Sequence, residues 1–183
     1  MGTSIDVLFP RDCSLLPAQI TSRLTSCFCR LENDLTLIRA HAWYSGDWGP
    51  WNIEHIAEHE GEPAYLFSEG PFGFAINVYA NVICLDHSER FGRLHYSDSP
   101  VAASLQHVIS AIVTELSGAV PFAAVAGGMG DSDRAVDLAY YDAADFNTVV
   151  ESLREKLGEP ATTWDALNED NDRCWALLRG IVR

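Results

Sequence analysis

The stretch Phe72-Gly73-Phe74-Ala75-Ile76-Asn77-Val78-Tyr79-Ala80-Asn81-Val82-Ile83-Cys84-Leu85 holds two apolar runs on either side of Ala80-Asn81. Phe74, Ile76 and Val78 alternate with smaller or polar residues, and a period of two belongs to a strand with one face in a core. With a turn at Ala80-Asn81, the stretch predicts an antiparallel hairpin at the centre of a sheet. Further strands are expected outward from it at 64–67 and 93–96, with Gly70-Pro71 as a turn, and at 5–9, where Pro10 stops the run.

Helical spacing takes over elsewhere. Leu16, Ile20, Leu24, Phe28 and Leu31 mark one face of a helix with Ser14 as its cap. Ser99 and Pro100 open a second helix whose apolar face is Val101, Leu105, Val108, Ile109, Ile112, Val113 and Leu116, ending before Gly118. A third is capped by Asp142 or Asp145, carries Phe146, Val149, Val150, Leu153 and Leu157, and stops at Gly158 and Pro160. The β-branched Thr36 and Ile38 suggest a strand over 35–44, and 120–125 and 136–141 suggest two more around a glycine-rich hairpin loop. Trp164, Leu167, Trp175 and Leu178 suggest a terminal helix within 162–183. The sum is an α+β domain over 1–183, mainly an antiparallel sheet with two or three amphipathic helices packed on one face.

The chain has 183 residues, 48% of them hydrophobic, enough to bury a core without disulfides or a structural metal. Its 26 acidic and 12 basic residues give a net charge of −14, which disfavours nucleic acid and anionic lipid as partners and leaves a basic protein or a cation. The five cysteines, Cys13, Cys27, Cys29, Cys84 and Cys174, show no framework spacing and are expected as reduced thiols. No segment approaches the ~18 to 20 apolar residues of a membrane span, and the N-terminal residues lack a secretory pattern, so the expected address is the cytoplasm.

His55-Ile56-Ala57-Glu58-His59 has H-x-x-E-H spacing. It resembles the inverted zinc signature of the pitrilysin and insulinase peptidases, which implies His55 and His59 as zinc ligands on one helix face and Glu58 as the base that activates a bound water. That chemistry needs a further acidic ligand, for which Glu115 is the nearest candidate but lacks supporting sequence. Pro50 before the string and Pro63 after it leave room for about three helical turns. The context favours a short, acidic, solvated segment, so no metal or other cofactor is expected, and a zinc-dependent hydrolase stands as the alternative. Gly127-Gly128-Met129-Gly130 offers backbone N–H groups, but no Lys-Ser or Lys-Thr follows, and Asp131 and Asp133 would repel phosphate.

Between Arg39 and Arg90 there is no lysine or arginine, while Asp47, Glu54, Glu58, Glu60, Glu62, Glu69, Asp86 and Glu89 fall in the interval. Trp43, Tyr44, Trp48 and Trp51 lie there as well, and such aromatics either anchor interfaces or pack beneath a long loop. The expected partner-binding set is Trp43, Tyr44, Asp47, Trp48, Trp51, Glu54, Glu58, Glu60 and Glu62, an acidic rim that would steer a basic protein.

This carboxylate-rich, aromatic composition, together with the course of Phe74 to Leu85 and the amphipathic segment from Asp145 to Pro160 ending in Leu-Gly-Glu-Pro, resembles the immunity proteins of bacterial toxin systems. The resemblance implies a stoichiometric, non-catalytic action in which the acidic face covers a basic toxin. A third possibility is a regulatory or structural subunit, for which an exposed apolar patch is expected instead.

Overall fold

A computed structural model describes residues 5–41, 52–56, 65–69, 73–87, 100–126, 131–164 and 175–179. Its frame is one seven-stranded sheet built from β1 (Ile5–Pro10), β2 (Asn52–Ile56), β3 (Tyr65–Glu69), β4 (Phe74–Val78), β5 (Val82–His87), β6 (Pro121–Ala126) and β7 (Trp175–Arg179). The spatial order is β2-β3-β4-β5-β1-β6-β7, and each neighbouring pair is antiparallel. The expected central hairpin is β4–β5, with Val78 opposite Ile83 and the Tyr79 N–H donating to the Val82 carbonyl at 2.9 Å.

Strand alternation divides the interior in two. Ile5, Val7 and Phe9 of β1, Phe74, Ile76 and Val78 of β4, and Ile83 and Leu85 of β5 form one buried face. Against it lie α1 (Pro17–Arg30), α2 (Glu32–His41) and α3 (Pro100–Ser117), contributing among others Leu24, Ile38 and Ile109. Leu8, Cys84, Ala123, Val125 and Trp175 point the other way, under α4 (Asp131–Tyr141) and α5 (Phe146–Leu157). The α+β class and the mainly antiparallel sheet are as expected. Among the described residues three helices share one face and two more cover part of the other, so the helix at 146–157 lies opposite the one at 100–117.

Local chemistry explains where the helices start. The N-cap of α1 is Leu16 rather than Ser14, and Pro17 takes the first helical position, where its missing N–H costs nothing. Gln19 reaches back to accept the Leu16 N–H at 2.8 Å. Ser14 instead gives its N–H and hydroxyl to Asp12 Oδ1, at 2.9 and 2.6 Å, so its polar groups are used in the preceding turn. At α5, Asp145 accepts the Thr148 N–H at 2.8 Å, and Gly158 follows the last turn at φ 76°, a left-handed value that suits glycine.

Three expected elements take the other conformation. Residues 35–41 are helical, because Leu31, Leu35 and Ile38 recur at helical spacing and all three are buried, with Glu32 and Asp34 placed favourably in the first turn. That burial against the sheet overrides the β preference of Thr36 and Ile38. Residues 136–141 belong to α4, whose buried Ala135 and Ala139 are four apart and allow close approach to the sheet. β6 is followed by this helix and not by a second strand, so the expected hairpin is not formed; residues 127–130 themselves lie outside the described residues. The terminal segment forms β7, with Trp175 fully buried and its indole N–H donating to the Gly158 carbonyl at 3.0 Å. On the outer side of β7, Ala161 makes a parallel bridge to Ala176: its N–H donates to Trp175 O at 3.0 Å, and its carbonyl accepts the Leu177 N–H at 2.9 Å.

Candidate functional site

The ladders that build the sheet also bring polar groups together on the face that α4 and α5 cover in part. Asp6 on β1 stands directly opposite Asp86 on β5, and Cys84, two residues earlier on β5, stands opposite Asn77 on β4. Residues two apart share a face, so these side chains emerge on one side. Val136 and Asp137 of α4 complete a cleft of about 320 Å³ lined by Asp6, Asn77, Cys84, Asp86, Val136 and Asp137. No basic residue is among these lining groups. A larger hollow of about 660 Å³, bordered by Gln106, Thr162, Thr163, Trp164, Leu177, Leu178 and Arg179, brings no comparable set of titratable groups together.

Burial governs the electrostatics of the cleft. Asp6 is buried, and the Asp86 Oδ1 atom is shielded from solvent with no hydrogen-bond partner among the described residues. Burial raises the Asp86 carboxyl above its ordinary value, and a hydrogen bond from the His87 backbone works the other way. The Cys84 thiol is pushed well above its ordinary value, first by burial and then by the negative charges of Asp6 and Asp86. A thiol so placed stays protonated near neutral pH, which removes Cys84 as a thiolate nucleophile. The cleft can therefore accept hydrogen bonds and positive charge.

Of the residues expected from the sequence, Glu54 and His55 lie on β2 at one edge of the sheet, in register with Phe67 and Leu66. His55 thus belongs to a strand, where residues four apart do not sit one helical turn from each other as the zinc signature supposes. Glu58 and His59 lie outside the described residues, as do Trp43, Tyr44, Asp47, Trp48, Trp51, Glu60 and Glu62. Glu115, the other ligand considered for that signature, is engaged elsewhere: it pairs with Arg30, and its carbonyl accepts from Arg23 at 3.0 Å. Among the described residues, no group of three or more His, Cys, Asp or Glu side chains is arranged to hold a metal ion. No helix among them is long and apolar enough to cross a membrane.

Asp6 and Asn77 carry no motif. The available signal was an acidic residue inside the apolar run Ile5-Asp6-Val7-Leu8-Phe9, matched by Asp86 after Val82-Ile83-Cys84-Leu85. An ionisable side chain in such a strand costs solvation free energy and so marks a special position. Comparison of the chain with protein-family models, with curated proteins and with solved structures gave no match.

Proposed function

We propose that this chain is a non-catalytic acidic binding protein that blocks a basic partner protein, in the manner of a bacterial toxin-immunity protein. The observation that carries the reading is the cleft between β1, β4, β5 and α4, which Asp6, Asp86 and Asp137 line with no basic residue among the described lining groups. A net charge of −14 supports it, since the overall field attracts a cationic surface and repels acidic ones. Burial and the negative charges of Asp6 and Asp86 disfavour the thiolate form of Cys84, which fits a binding role for this cleft.

The acidic aromatic segment around β2 supplies a second contact region under this proposal, with Glu54 on the strand and Trp48 and Trp51 before it. The test is to purify the proteins encoded beside this chain in its genome and measure association and dissociation rates at low and high salt. A basic partner whose association slows as salt rises is expected, because salt screens charges beyond ~8 Å at physiological strength. An acidic partner, or rates indifferent to salt, would overturn the proposal.

A further inference from the structure

We draw no further inference here: the strongest candidate, the hollow of about 660 Å³ beside β7 bordered by Gln106, Trp164 and Arg179, has Trp164 and Arg179 each followed by chain that lies outside the described residues, so nothing in the structure shows what covers it.

Discussion

Asp6 and Asp86 oppose one another across the central β1–β5 ladder, on the side of the sheet where Leu8 and Cys84 also point. Placing two carboxyls in register inside a sheet opposes folding when both are charged, because each resists desolvation and repels the other. The Asp86 carboxyl is raised above its ordinary value by burial, against a hydrogen bond from the His87 backbone. Its folded-state value exceeds its unfolded one, so the folded chain holds the proton more tightly. The favourable contribution is complete below the unfolded value and is lost as pH rises through the folded value. Asp86→Asn should therefore be more stable than the parent at neutral pH, with the difference shrinking in mild acid. Urea unfolding of both proteins across that range checks it. Asp12 and Asp145 have lowered values through hydrogen bonds from Ser14 and Thr148 and contribute with the opposite sign, so the comparison is between parent and variant at each pH.

Ile109 on α3 is 1% exposed in the core beneath α1, α2 and α3. Ile109→Asp should abolish cooperative folding, because an unpaired carboxylate there costs several kcal/mol against a total stability of about 5 to 15 kcal/mol. Far-UV circular dichroism and a melting curve measure the loss. A sharp transition near the parent's temperature would contradict the buried placement.

Trp175 fixes the strand that the terminal segment forms. It is fully buried between β6 and the end of α5, and its indole N–H is bonded to Gly158. Trp175→Ala removes that bond and leaves a cavity, so a loss of about 3–5 kcal/mol is expected in denaturant unfolding. Leu177→Ala on the same strand removes a half-buried side chain and should cost much less.

The described thiols separate into two groups. Cys13 and Cys29 are exposed, whereas Cys27 and Cys84 are buried. Iodoacetamide under native conditions should label Cys13 and Cys29 within the first phase and reach Cys27 and Cys84 only after denaturant is added, as peptide mass spectrometry will show.

Legibility in the sequence followed the kind of interaction that decides each element. The β4–β5 hairpin and the helices beginning at Pro100 and Phe146 carry their own periodicity and punctuation, and they form where expected. Helix α2 and strand β7 depend on what they pack against. Thr36 and Ile38 favour extended chain in isolation, and Trp175 and Leu178 are three apart, as on a helix, yet burial against the sheet reverses both preferences. The acidic cleft was beyond local reading for a similar reason. Asp6 and Asp86 are eighty positions apart, and only the register of β1 on β5 makes them neighbours. The acidic aromatic segment, by contrast, is conspicuous as composition, and of its proposed contact residues only Glu54 stands on a described element.

Ala161 spends its N–H and its carbonyl on the outward-facing groups of Trp175 and Leu177. A foreign strand approaching β7 from that side meets backbone donors and acceptors already engaged in the middle of a five-residue strand. The single bridge thus interrupts the row of groups that a strand added at β7 would need, leaving that end of the sheet a poorer template for edge-to-edge pairing.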